Sequence, residues 1–471
     1  LVDYIFLKQN LLISKRKKEY KSMDNDKQIG LIGTTAIVLG SMMGSGIALL
    51  PSSLASIGSI TTISWIIATL GALGLGYIFS FLANKDPQTG GVIAYAEEVS
   101  PILGFQTAIL YFYASWVGIA AITITGVSYL SPILPILKDP FFAVLTAIVI
   151  LWALIGINLT GAKTVGALAT FGLLLLLIPV LLTATYGWHF FDYKTFIENW
   201  NVAHTSSAQA ISSGITLCIW SFIGLEGALI NTAIIKNPGW TIPRATLIGI
   251  IICASTYILS STVLIGIFPA KTLAESNAPF LLASSLMLGK WSAPFVTSFI
   301  AFACFTSLSV GIMATGQAGV RAAKDYILPS VFMKTRANGI PAKSICIIGM
   351  GATILLIAFS LDSKDTQELF TNIVSLCVLL LIFPYFYTIL NFSKMLIQTE
   401  KKLLGIFFCA FSSLFCFAAF LGAHKHTLQI SIVAGLAIFL FYESKNRLKF
   451  VKALDTENNN SQKNKGGEEK E

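Results

Sequence analysis

The sequence predicts an all-α polytopic membrane protein of about twelve transmembrane helices, and three observations predict it. Hydrophobic residues make up 55% of the 471-residue chain and charged residues 12%, against about 25% charged in soluble proteins. The apolar residues fall into long runs, most near the roughly 20 residues that a helix needs to cross a bilayer. The polar gaps between runs alternate between basic and nearly uncharged. Lipid offers the backbone no hydrogen-bond partner, so runs of this length must close their own bonds as helices.

In chain order the spans fall near residues 31–55, 60–83, 101–131, 141–160, 165–187, 208–234, 244–268, 292–320, 343–361, 366–392, 403–422 and 427–443. With the N-terminus inside, the inner segments hold 26 of the 32 Lys and Arg residues. The outer loops hold the other 6: Lys138, Lys194, Lys271, Lys290, Lys364 and Lys425. Positive residues stay cytoplasmic, so both termini are expected inside a bacterial-type inner (plasma) membrane, with an even number of spans. The net charge of +9 thus follows from topology. A nucleic-acid partner is not needed, and no stacking or groove-reading motif is present.

Residues 1–30 read as a cytoplasmic segment. It starts at Leu1, and Met23 offers an alternative start that would make residues 1–22 an extension; the charge bias then becomes 20 to 6. Residues 446–471, polar and low in complexity, read as a disordered cytoplasmic tail. The transporter-like core is expected over 31–445. The seven cysteines all lie in apolar runs without metal-ligand spacing and read as small buried residues. His189, His204, His424 and His426 fall in expected outer loops, as ordinary loop residues or as sensors of external acid.

Two spans carry breaks. The first runs Gly40-Ser41-Met42-Met43-Gly44-Ser45-Gly46, followed by Pro51. Three glycines in seven residues make a poor continuous helix. A small-residue packing face between helices is the alternative reading. The second is Trp220-Ser221-Phe222-Ile223-Gly224-Leu225-Glu226, with an acid inside an apolar run. Span one opens the first group of five helices and span six the second, and interrupted segments at matching places in two halves point to a transport site. Five spans per half force the halves into opposite orientations. The N–H groups of a half-helix can hold a carboxylate, and unwound carbonyls an ammonium or a cation. A charge at mid-membrane costs about 2.5–3.5 kcal/mol on insertion scales. Glu226 should therefore serve substrate or proton coupling, or bond to unwound backbone. Trp220 reads equally as a lid or cation–π platform and as a packing aromatic.

The string Gly40 to Gly46 with Leu49-Leu50-Pro51 resembles span one of the amino acid–polyamine–organocation superfamily. So do Trp220 to Glu226, Lys236-Asn237-Pro238 with Ile242-Pro243-Arg244-Ala245, and Gly90-Gly91 before Tyr95-Ala96. Together they resemble its basic amino acid/polyamine antiporter branch, which includes arginine/agmatine and putrescine/ornithine exchangers. The resemblance runs from about Lys27 to about Phe450. It implies a LeuT-like fold of two inverted five-helix repeats, about 31–187 and 208–392, with two extra spans over 403–443. It implies amino acid/amine (or amino acid/amino acid) antiport by alternating access and a homodimer in lipid; no cofactor or metal is expected.

By position, the substrate-binding candidates in span one are Ser41, Met43, Gly44, Ser45 and Gly46, with Ser45 and Gly46 resembling the backbone that receives the α-carboxylate. Those in span three are Tyr111, Trp116 and Ile119, and those in span six Trp220, Ser221 and Ile223. Gly311 and Cys377 complete the set from spans eight and ten. Trp220, Glu226 and Tyr385 are the gating or coupling candidates. The chain departs from the arginine/agmatine pattern at four of its positions. Ser41 and Ile119 stand in place of asparagines, Ile93 in place of a tyrosine tied to pH response, and Gly311 in place of a tryptophan that closes over the guanidinium. A wider, less polar pocket suits a neutral or aromatic amino acid, or its amine, better than arginine or agmatine. Proton- or sodium-coupled uptake, with Thr306, Ser307 and Ser309 as available hydroxyls, is the second reading, and a non-transporting sensor the third. No paired carboxylates, Ser/His pair or His/Glu metal cluster occurs in the spans, so an enzyme is not expected.

Overall fold

The computed structural model describes residues 29–85, 91–159, 162–230, 235–324, 328–336, 340–361, 363, 365–396, 402–423, 425 and 427–442. The N-terminal segment up to residue 28, the tail from residue 443, His424 and His426 lie outside them. In order, the helices are α1 (Leu31–Met42), α2 (Ser45–Ala55), α3 (Thr61–Lys85), α4 (Val92–Val99), α5 (Pro101–Ser128) and α6 (Pro140–Asn158). Next come α7 (Ala162–Thr185), α8 (Tyr193–Glu198), α9 (Ser207–Trp220), α10 (Gly227–Ile230), α11 (Pro238–Ile267) and α12 (Ala270–Ala274). The last are α13 (Pro279–Leu288), α14 (Ala293–Lys324), α15 (Ala342–Ser360), α16 (Thr366–Leu396), α17 (Lys402–Gly422) and α18 (Thr427–Tyr442). Among the described residues the only β-pairing is one parallel bridge, Ile29 to Ile235.

Nine of these helices are long and apolar enough to cross a bilayer, and α1 with α2 makes a tenth crossing bent by 44°. Among the described residues, the other two expected spans are not continuous helices of crossing length. Span six is cut after α9 by its break, and α18 is a shorter apolar helix. Helix starts follow their local chemistry. Asp139 caps α6 through Phe141 N–H at 2.8 Å, with Pro140 at the first position. Span seven begins earlier than expected, at Pro238, because Asn237 turns the chain in a left-handed conformation (φ 46°) and proline is pre-set for a first helical turn. Asp192 caps α8; the Thr195 hydroxyl and the Thr195 and Lys194 N–H groups hold its carboxyl below the usual aspartate range.

The interior helices are α5, α11 and α16. α11 packs on α3 and α1, α16 on α5, and α14 on α7 and α5. α6 and α17 lie outermost: Phe141 is 67% exposed and Leu403 85% exposed, as lipid-facing residues should be. Several buried hydroxyls bond within their own helices, as in Thr123 to the Ile119 carbonyl at 2.7 Å.

At one end of the molecule, α8 and the residues after it clasp the turn between α2 and α3. Ser59 N–H donates to the Asn199 carbonyl at 2.8 Å and Ile60 N–H to the Trp200 carbonyl at 3.0 Å. The Asn199 side chain donates to the Ile265 and Phe268 carbonyls and accepts from Ala270 N–H, fastening the end of α11. Gly58 makes this approach possible. Its φ is +126°, and a Cβ there would sit 2.5 and 2.6 Å from the Asn199 and Trp200 carbonyl oxygens. Backbone faces backbone, so no side chain can yield. Gly58→Ala is expected to cost about 2–3 kcal/mol. It should lower the thermal unfolding midpoint in detergent, and an unchanged midpoint would refute the tight clasp.

Candidate functional site

The site is built where the two breaks meet. α1 ends at Met42 because Met43 leaves helical geometry (φ −82°, ψ 86°), and α2 restarts at Ser45. α2 has no side-chain cap on its first N–H groups, so its start offers donors toward the break. In span six, α9 stops at Trp220. Residues 221–226 continue in tight turns such as Ile223 N–H to the Trp220 carbonyl at 3.2 Å, and Gly224 takes φ +102°. The breaks are joined directly. The Ser41 hydroxyl lies 2.8 Å from the Gly224 carbonyl and 2.9 Å from those of Ile37 and Val38. Gly46 packs on span six so closely that a Cβ would be 3.2 Å from both the Ser221 hydroxyl and Trp220 Cδ1.

Trp220 therefore lies between two glycines. Its five-membered edge meets Gly46, and its Cη2 would be 3.4 Å from a Cβ on Gly118 of α5. Cys377 of α16 closes that wall, with Sγ donating to the Ala114 carbonyl at 3.1 Å. Trp220 Nε1 and Ser221 Oγ are buried and have no partner among the described residues. Buried polar atoms are rarely left without one, and both stand beside Gly46 where a polar ligand could meet them.

Glu226 is 1% exposed. Its two oxygens accept from two tyrosines: Tyr111 Oη of α5 donates to Oε1 at 2.8 Å, and Tyr385 Oη of α16 to Oε2 at 3.1 Å. The acid within the apolar run thus links the span-six break to two neighbouring helices. Met43 is buried, Gly44 faces the Ser307 hydroxyl, and Ile223 is half-buried in the break. Gly311 is half-buried, and a Cβ on it would meet nothing within 4 Å.

Not every candidate joins the cluster. Trp116 lies two residues from Gly118, on nearly the opposite face of α5. It packs on Gly351 of α15, Phe112 and Tyr113. Ile119 is buried, and its carbonyl serves Thr123. Two tyrosines join the breaks that sequence reasoning does not single out: Tyr257 donates to the Met42 carbonyl at 3.0 Å and Tyr129 to the Ala48 carbonyl at 2.6 Å. Both lie within or at the end of apolar runs, where a phenol needs a partner. That need is the signal that marks them.

A bundle of apolar helices, two of them broken where they meet around a buried acid and an indole, is the architecture of a membrane transporter. The chain belongs to the amino acid permease family, whose sequence profile matches residues 29–441. It is 43% identical over 426 residues to the cadaverine/lysine antiporter of Escherichia coli K12, covering 90% of this chain and 96% of that protein. It is 29% identical over 430 residues to the putrescine transporter PotE of Haemophilus influenzae, covering 90% and 98%. With PotE of Escherichia coli K12 it shares 30% identity over 368 residues, covering 77% and 83%.

Proposed function

We propose that this protein exchanges lysine for its decarboxylated diamine, cadaverine, across a bacterial inner membrane by alternating access. The observation that carries the proposal is the Glu226 carboxyl, held by Tyr111 and Tyr385 beside the meeting point of two broken spans. A buried acid is costly in lipid unless a cation or donors compensate it, and both lysine and cadaverine bring an ammonium. The relatives turn the substrate reading from a neutral side chain to a basic one. The open space at Gly311 removes the planar surface that suits a guanidinium, whereas an ammonium is a compact charge that needs only oxygen acceptors. The α-carboxylate then lies at the start of α2, and Trp220 covers the substrate.

The charge bias of the loops puts both termini in the cytoplasm and the α8 clasp outside. The broken spans α1–α2 and α9–α10 open two inverted repeats of five, and α17 and α18 complete twelve spans. Ion-coupled uptake is the second reading. Of the span-eight hydroxyls, Ser307 faces Gly44 at the span-one break, while Thr306 donates to the Ala303 carbonyl at 3.0 Å and Ser309 accepts from Asn158 at 2.7 Å.

Purified protein in liposomes preloaded with cadaverine should take up labelled lysine, while empty liposomes should not. Trp220→Ala, which removes the cover, should lower that exchange by about tenfold or more. Equal uptake into empty vesicles under a proton or sodium gradient would overturn the antiport reading. Exchange of a neutral amino acid in preference to lysine would restore the wider-pocket substrate.

A further inference from the structure

On the side of the site away from Glu226, a second group of hydrogen bonds ties span one to spans three and ten. Ser53 of α2 is 2% exposed. Its hydroxyl accepts from the side-chain amide of Gln367 and lies within hydrogen-bond distance of Thr371 Oγ1 at 3.1 Å, both on the first turns of α16. Thr371 is held in place by the Gln367 carbonyl at 2.9 Å. Next to this group Tyr129, at the end of α5, donates to the Ala48 carbonyl of α2.

The two groups form layers above and below the substrate position. Thr371 and Tyr385 stand about 21 Å apart along α16, and Tyr111 and Tyr129 about 27 Å apart along α5, at about 1.5 Å per residue. Cys377 and Gly118, which wall Trp220, fall between them on the same two helices. Spans three and ten thus each carry a donor at either end. At one end the donors hold span one, and at the other they hold the span-six acid. The outer layer is built from neutral groups only, so each bond costs little to break and re-form compared with a charged one.

We propose that Ser53, Gln367 and Thr371 form the latch of the outer gate: their bonds hold span one against span ten while the site faces inward, and part when it opens outward. The proposal rests on the alternating-access reading above and assigns Ser53 a positioning role outside the substrate site. Weakening the latch should raise the outward-facing population. The apparent half-saturation on a given side varies inversely with the fraction of protein open to that side, so the two sides should respond in opposite directions. Damage to packing alone would move both sides together or only lower the amount of folded protein.

The test uses full-length protein in vesicles of known orientation, with lysine–cadaverine exchange measured from each face. Ser53→Ala should lower the outer half-saturation for lysine about fivefold and raise the inner one. Ser53→Thr, which keeps the hydroxyl, should restore both. The pair Ser53→Cys with Gln367→Cys should form a disulfide that stops exchange, and a reductant should restart it. An unchanged outer half-saturation in Ser53→Ala, or shifts of the same sign on both faces, would overturn the latch. So would a disulfide that fails to form, or one that forms without slowing exchange. Absence of exchange in the unmodified protein would instead overturn the antiport reading, which keeps the two failures distinct.

Discussion

Glu226→Gln is expected to lower the proposed lysine–cadaverine exchange by about a hundredfold while leaving folded protein in the membrane. Glutamine has the shape of glutamate, but its amide nitrogen is a donor. It can accept from only one of Tyr111 and Tyr385, and the other phenol must turn its hydroxyl and accept from the amide, so one bond to the carboxyl is lost. A hydrogen bond to a charged group contributes about 1.5–3 kcal/mol. Losing one of these, together with the counter-charge for the substrate ammonium, comes to about 3 kcal/mol, or about two factors of ten. Glu226→Asp keeps the charge but shortens the reach, and is expected between the two. Tyr111→Phe and Tyr385→Phe each remove one donor and are expected to lose about tenfold. Exchange per folded molecule, counted by binding-independent quantification of the purified protein, is the deciding measurement. A glutamine variant that exchanges normally but unfolds at lower temperature would show that Glu226 only braces the break.

Gly224→Ala is expected to remove function by a purely steric route. Gly224 holds φ +102°, a region that L side chains rarely adopt. A Cβ there would overlap the Ser41 carbonyl, which is backbone and cannot rotate away. The Ser41 hydroxyl bonds to the Gly224 carbonyl from the other side, so the two breaks are locked at that point and neither has room to shift alone. Strain of this kind costs about 3 kcal/mol or more when backbone meets backbone. The expected result is a low yield of monodisperse protein and exchange at background. Gly156→Ala on α6 is the control, because a Cβ there meets nothing within 4 Å and alanine favours a helix interior. If Gly224→Ala exchanges like that control, the breaks are not packed as described.

Much of this architecture is legible in the amino-acid sequence, and the reasons are specific. Long apolar runs mark the helices because lipid tolerates little else. Three glycines between residues 40 and 46 mark a break because glycine gives up helix propensity and lets backbone segments approach closely. Glu226 stands out because a lone acid in an apolar run demands a partner. The identity of that partner is not legible. Tyr111 and Glu226 are 115 residues apart, and no local pattern signals which of the tyrosines in the apolar runs reaches the acid. Tyr257 and Tyr129, whose hydroxyls serve the carbonyls of Met42 and Ala48, escape sequence reasoning for the same reason. The place of Trp116 in span three suggests the wall of the site, yet it packs on Gly351 on the far side of α5. A side chain's helix is predictable, but its face depends on neighbours far away in sequence.

The sequence by itself determined that the chain crosses a membrane many times, where its helices lie, which two of them are interrupted, and which residues could carry charge there. These follow from hydrophobicity, helix propensity and loop charge, which act within one run of residues and the lipid around it. Only the tertiary structure decided that Ser41 joins the two breaks, that Trp220 lies between Gly46 and Gly118, and that Glu226 is held by Tyr111 and Tyr385. It also decided that Ser53 meets Gln367 and Thr371. Those contacts join residues more than a hundred positions apart, or helices whose rotation about their own axes is set by packing. Hydrogen bonds and close packing act over a few ångströms in space, and distance along the chain does not encode them.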